Sequence, residues 1–498
     1  MDNMKGAPMK RLLTALPLTG LLLTSLSPLS WADTNETPSL EARLDDLEQQ
    51  VAILKRQIEN SKEDVKAQAT TTPVVTANAK DGFSIKSPEQ NFSLKIGGYT
   101  QVEAREFATN NKEELGEASS ILARRVRLIV QGTVAHDFDF YVQPEFGYPN
   151  TYAASTSYSS TSTSLAAATP SAYGVALQDA WIDWKYFPDF TIKAGKFKTP
   201  FDLENLQDTR YTDFVELGLT GNLSPQRDVG VQVGGNLYYD WITYAAGVFD
   251  GAADKENGYG GYSTGGDTNS RSGTGRIFIT PFKDTSWEAL QGLGVGYAAS
   301  YGKEKGTDLP TYVSPGQAPV FAYYNTTTAV SAAGPQLRTE PQAYYYYKSL
   351  GILGEKVDDH ESLQYTSNGH VYRDKPDNKA FNVEASYVLT GEDASYNGVT
   401  PRHDFDLSSG HWGAFELVGR YGELKLDDSI FSEGFSSLNT SISKENDWAT
   451  GINWYLNRNV KLALDFEQTK FRRGAPVGAG TEDRKTENLF TGLAQLSF

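Results

Sequence analysis

From Asn91 to its last residue, Phe498, the chain alternates polar and apolar side chains in short runs bounded by turn residues. A β-strand sends successive side chains to opposite faces, so each run presents two surfaces of different polarity. In "RRVRLIVQGTV", Arg125, Arg127, Gln131 and Thr133 share one face, and Val126, Leu128, Val130 and Val134 the other. "DAWIDWKY" sets Asp179, Asp183 and Lys185 against Ala180, Ile182, Trp184 and Tyr186. "FELVGRY" sets Glu416 and Arg420 against Phe415, Leu417 and Tyr421, and "KLALDFEQ" sets Lys461, Asp465 and Glu467 against Leu462, Leu464 and Phe466. Sixteen such runs are read: 91–107, 122–136, 138–147, 175–186, 190–199, 228–238, 241–250, 271–282, 291–303, 336–348, 351–366, 379–390, 411–425, 447–456, 459–471 and 486–498. Tight turns (187–189, 239–240, 457–458) alternate with long connections (148–174, 200–227, 251–270, 304–335), although 391–410 is too long for the short side.

An even strand count with short turns at one end and long loops at the other predicts an all-β fold, a sixteen-stranded antiparallel transmembrane β-barrel. Lipid offers no water to exposed backbone groups, so a spanning sheet must close on itself. Closure accounts for the terminal "LFTGLAQLSF", in which Phe490, Gly492, Ala494, Leu496 and Phe498 hold every second position. A terminus usually frays into water. Here the last strand is expected to pair with the first, with Phe498 anchored at a membrane interface. Trp184, Tyr186, Tyr421, Trp454 and Tyr455 suit the aromatic girdles. The 46 glycines, 28 tyrosines and 8 tryptophans agree with this reading.

Ahead of the barrel, Lys10 and Arg11 precede the apolar "LLTALPLTGLLLTSLSPLS", with small residues at Ser30 and Ala32. This reads as a signal peptide over residues 1–32, cut after Ala32, which implies export. Residues 33–66 read as a periplasmic coiled-coil segment, because Leu40, Leu44, Leu47, Val51, Leu54 and Ile58 form a heptad seam. The alternative is a single amphipathic helix lying on its own chain. Residues 67–90 read as a linker and 91–498 as the barrel.

Composition excludes several classes. There is no cysteine, hence no disulfide and no thiolate metal site. The five histidines show no ligand spacing, and neither metal nor cofactor is expected. A net charge of -17 argues against nucleic acid as a partner. H-E-x-x-H does not occur, and the one G-x-S-x-G match, Gly261–Gly265, falls in the long connection 251–270 and not at a strand-to-helix elbow, so the chain is read as a non-enzyme.

Several stretches resemble the phosphate-selective porin O and P family. They are "RRVRLIVQGTVAHDFDFYVQPEFG", "DAWIDWKYFPDFTIKAGKFKTPFDLE", "SPQRDVGVQVGG", "PQAYYYY", "SYVLTGEDASYNGVTPR", "WGAFELVGRYGELKLD" and "WATGINWYLNRNVKLALDFEQTKF", spread in order through 91–498. The resemblance implies a homotrimeric porin in outer-membrane lipid that passes inorganic phosphate or other small anions. It also implies that the loop after strand five, here 200–227, folds inward as the constriction. Three tethered helices would reach a high effective concentration, so the coiled coil fits a trimer.

Anion passage needs Arg and Lys at the narrow part of an aqueous lumen. By strand face the candidate ion-binding residues are Arg125, Arg127, Lys193 and Arg420. Lys196 and Lys198 precede the loop, out of phase with Lys193 unless the pleat breaks near Gly195; Arg210 and Arg227 belong to the loop. Pro200, Phe201 and Glu204 open the constriction segment. That loop carries Asp202, Glu204, Asp208, Asp213, Glu216 and Asp228 against only Arg210 and Arg227. If Lys196, Lys198, Arg125 and Arg127 converge on it, local charge is positive; otherwise a general or cation-leaning diffusion porin is expected. A further alternative is an envelope-tethering barrel whose coiled coil meets a cell-wall or periplasmic partner.

Overall fold

The computed structural model describes residues 40–69, 72–78, 82–108, 119–147, 175–187, 189–251, 271–307, 309–324, 329–475 and 482–498. The signal-peptide reading and the predicted cut after Ala32 lie outside these residues. Among the described residues, sixteen antiparallel strands close into a barrel. They are β1 (Ser93–Phe107), β2 (Ser120–Val134), β3 (Phe138–Glu145), β4 (Ala176–Phe187), β5 (Phe190–Lys198), β6 (Arg227–Leu237), β7 (Ile242–Phe249) and β8 (Ser272–Ile279). The circuit continues with β9 (Leu293–Gly306), β10 (Ser331–Tyr347), β11 (Leu350–His360), β12 (Asp377–Val388), β13 (Ala414–Lys425), β14 (Ile442–Asn457), β15 (Val460–Arg473) and β16 (Glu487–Ser497). Each strand pairs with its sequence neighbours, and β16 returns to β1 from Leu489↔Phe107 to Ser497↔Tyr99. Phe498 completes the seam, exchanging two 3.0 Å backbone hydrogen bonds with Gly98. A Cβ at Gly97 would lie 2.8 Å from the Phe498 carbonyl oxygen, so this approach requires glycine.

Burial is inverted relative to a water-soluble sheet. On β15, Lys461, Asp465 and Glu467 are buried while Leu464 is 56% exposed. On β13, Glu416 and Arg420 are buried while Leu417 and Tyr421 are exposed. The apolar faces look outward, as lipid requires, and the polar faces line the lumen. Tyr455, expected in a girdle, lies on the inner face instead and donates its hydroxyl to Glu416 at 2.8 Å. Its neighbour Trp454 takes the outer face, stacked on Phe415.

The apolar core sits inside the barrel and is built from loops. Phe201, Leu219 and Leu223 of the segment after β5 pack with Tyr312 and Phe321 after β9 and with Ile430 and Phe435 after β13. Asn222 and Val313 exchange hydrogen bonds of 2.9 and 3.0 Å, tying two of these loops together. Where a linker was expected, Val74–Asn78 and Gly82–Lys86 form a hairpin, and Gly82–Lys86 pairs with β1 at Ser93–Ile96. Those β1 residues lie beyond the end of β16, so their edge is open for the β-branched "VVT" hairpin to cover. The N-terminal helix, Leu40–Ala69, is a separate unit. Leu44, Leu47, Val51, Leu54 and Ile58 are all exposed on it.

Candidate functional site

The segment 199–226 enters the lumen and is fastened at both ends of a short helix, Leu203–Leu206. Asp202 caps it, accepting from the Asn205 N–H at 2.6 Å. The free N–H groups of Leu203 and Glu204 donate to Glu355 of β11 at 2.9 and 3.2 Å, which satisfies donors a helix start leaves open. Lys198 donates to the carbonyl oxygens of Asn205 and Gln207, the latter at 2.8 Å.

Further along, Glu216 is received by three arginines of the wall. Arg105 and Arg124 donate to it at 2.9 Å, and Arg125 at 3.3 Å. A β-bulge after Gln101 leaves Arg124 without a cross-strand partner, so two consecutive residues of β2 point inward. Burial alone would raise the Glu216 carboxyl, but Arg124, Arg125 and Arg105 hold it well below the usual range. Arg420 is enclosed: Asp447 and Glu467 lie 3.4 Å from its guanidinium, Glu384 3.8 Å and Glu204 4.0 Å. It also donates to the Glu216 carbonyl oxygen at 2.8 Å, so it locks the loop to the wall.

With Glu204 turned to Arg420 of β13 and Glu216 to the arginines of β1 and β2, a cavity of about 340 Å³ remains against the β1–β8 wall. Five cationic side chains line it, Arg127, Lys193, Lys198, Arg227 and Arg276, against two carboxylates, Asp179 and Asp208. Arg127 donates to Glu145 at 2.5 Å and to the Tyr99 hydroxyl at 2.7 Å. Arg227 donates to Asp179 at 3.2 Å through one of its nitrogens, and Arg276 donates to Gln342 at 2.7 Å. Asp208 is gripped by Arg210 at 2.7 and 3.0 Å.

The candidate residues therefore divide. Arg127, Lys193, Lys198, Arg227 and Pro200 line the cavity, and Arg210 stands behind its carboxylate partner. Arg125 and Arg420 lie behind the loop. Lys196 sits opposite Ala180 and Val229 and does not line the cavity. The pleat does break at Gly195, whose φ is +135° and whose added Cβ would meet the Ala180 carbonyl oxygen at 2.1 Å. Phe201, fully buried in the loop core, and Glu204, beside Arg420, do not line the cavity either. Strand alternation would have found two residues the reading missed, Arg105 in "QVEAREF" and Arg276 in "GTGRIFI". Arg124 has no local signal, because only the bulge turns it inward.

The over-long connection 389–413 also finds its place. It rises from the short-turn end, where Tyr396 donates to the Leu203 carbonyl oxygen and Gln207 donates to that of Tyr396 at 2.7 Å. Tyr396 stacks on Tyr344, and Gly398 packs on Tyr211, so this turn supports the inward loop from below.

A family model for phosphate-selective porin O and P matches residues 94–498. Porin O of Pseudomonas aeruginosa is 22% identical over 436 residues, which cover 82% of this chain and 91% of that protein. Among solved structures, the outer membrane channel DcaP of Acinetobacter baumannii aligns over 83% of this chain and 99% of its own, at 11% identity and a TM-score of 0.47. The anion-selective porin from Comamonas acidovorans aligns over 82% of this chain and 100% of its own, at 12% identity and a TM-score of 0.46.

Proposed function

The chain belongs to the phosphate-selective porin O and P family and forms an outer-membrane porin channel, and we propose that this channel passes small oxyanions, inorganic phosphate among them, by passive diffusion. One observation carries the reading: the cavity beside the inward loop is lined by five cations and two carboxylates, although the loop itself is acidic. Each charge-assisted hydrogen bond contributes about 1.5–3 kcal/mol net. Two at once give about 4 kcal/mol, a millimolar site that releases its ion. Because several of the cations already share carboxylates or amides of the protein, each offers a permeating anion few free N–H groups. That suits several weak sites in series rather than one trap.

In this reading the signal peptide 1–32 directs export, and three copies assemble through the exposed heptad stripe of the N-terminal helix and through the barrels. Reversal potentials in a salt gradient across a planar bilayer, with phosphate titrated against chloride, test the selectivity. Anion preference with a saturable phosphate block is expected; a cation preference overturns the reading.

A further inference from the structure

Resting on the reading that the lumen passes anions, we propose that Trp181 is a positioning residue that keeps Lys193 out of a direct ion pair and available to anions in the channel. Among the described residues, Lys193 is the one cavity-lining cation with neither a hydrogen bond nor an ion pair to the protein. Its ammonium lies 4.5 Å from the centroid of the Trp181 ring and 5.6 Å from that of Phe197. Tyr141 stacks on Trp181 with centroids 5.3 Å apart and planes 2° from parallel, which fixes the indole. The cation therefore rests on an immobilised aromatic surface.

The reason a ring matters is the acid beside it. Trp181 stands between Asp179 and Asp183 on the inner face of β4, and Asp183 is the residue directly across from Lys193 in the β4–β5 register. The Asp183 Oδ1 is buried and accepts no hydrogen bond, so an acceptor waits within reach of the ammonium. A salt bridge to it would cancel the lysine's charge in the lumen. A cation–π contact holds the ammonium through the ring's quadrupole and keeps it out of direct pairing with Asp183, so more of its charge acts on a passing ion. At a half-buried site the two interactions are comparable in strength, so the presence of the ring decides which one forms. In this arrangement an uncharged side chain sets the charge a permeating anion meets.

The test is the anion-to-cation permeability ratio of the full-length protein in planar bilayers of chloride salts. Trp181→Leu changes no formal charge, yet the ratio is expected to fall at least twofold as Lys193 turns to Asp183. Trp181→Phe, which keeps a ring, should retain most of the ratio. Asp183→Asn raises the ratio by itself, since it removes a lumen carboxylate, and adding Trp181→Leu to Asp183→Asn should cost nothing further, because the competing acceptor is gone. An unchanged ratio in Trp181→Leu overturns the inference, as does an equal fall when Trp181→Leu is made in the Asp183→Asn background. Unchanged total conductance in concentrated salt shows that the barrel is intact. If the wild-type protein is not anion-selective, the functional reading fails, but the effect of Trp181→Leu with and without Asp183→Asn still decides the role of Trp181.

Discussion

The Tyr396 hydroxyl donates to the Leu203 carbonyl oxygen at 2.5 Å, joining a connection from the short-turn end of the barrel to a loop that enters from the other end. The two residues are 193 positions apart, and the bond makes the constriction a joint product of both ends. Tyr396→Phe keeps the stack on Tyr344 and removes this bond, worth about 1 kcal/mol. Open-channel noise in single-channel recordings should rise while mean conductance stays near wild type. Tyr396→Ala, which loses the stack as well, should also change the conductance.

Arg420 is the buried cation among Glu204, Glu384, Asp447 and Glu467. Arg420→Met leaves those carboxylates facing one another in a site with almost no water. Removing one partner of a buried ion network costs about 3–5 kcal/mol. We expect the inward loop to detach, seen as faster protease cleavage within 203–223 and as irregular conductance, with the barrel still closed.

Gly195 carries the break in β5 that ends with Lys198 holding the loop helix. Gly195→Ala would place a methyl group 2.1 Å from the Ala180 carbonyl oxygen at a φ of +135°. Strain of this kind costs about 1–3 kcal/mol or shifts the strand. Lowered thermal stability together with altered ion selectivity is expected, the second because Lys193 and Lys198 flank the break.

Outside the membrane-spanning strands, Glu361 follows β11, accepts from the Tyr323 hydroxyl and accepts from Asn378 at 2.9 Å. Burial, then the neighbouring Asp359, pushes its carboxyl up to about 8. The folded loops therefore hold a proton that a loosened state would release. The stabilisation is full at pH below about 4.5 and is lost as pH rises through about 8. Amide exchange in 320–324 and 361–364 should quicken between pH 6 and pH 9, beyond the intrinsic rise with pH. Glu361→Gln should flatten that dependence.

The strands were legible because alternation is a local property. Each of the sixteen runs read from the sequence overlaps one barrel strand, including the seam ending at Phe498. The candidate site was legible only in part. Arg127 and Lys193 reach the cavity because Arg127 follows the bulge of β2 in regular alternation with Arg125, and Lys193 precedes the irregular Gly195 of β5. Arg124 and Arg125 are adjacent in sequence and both point inward, which no period of two predicts. Phe201 and Glu204 lie in a segment without period, so nothing in the chain marks which of its sides meets water.

By itself the sequence determined the two-faced strands, their number and the closed ring, since an alternating segment bounded by lipid and water has one way to satisfy its backbone. Only the tertiary structure decided which way the acidic loop turns. Glu216 is claimed by arginines 91–111 positions earlier, and Glu204 lies against Arg420, far later in the chain. Those long-range ion pairs draw the carboxylates into the wall and leave the cations of β2, β5, β6 and β8 to face the cavity, a choice that depends on charges meeting in space and has no trace in local spacing.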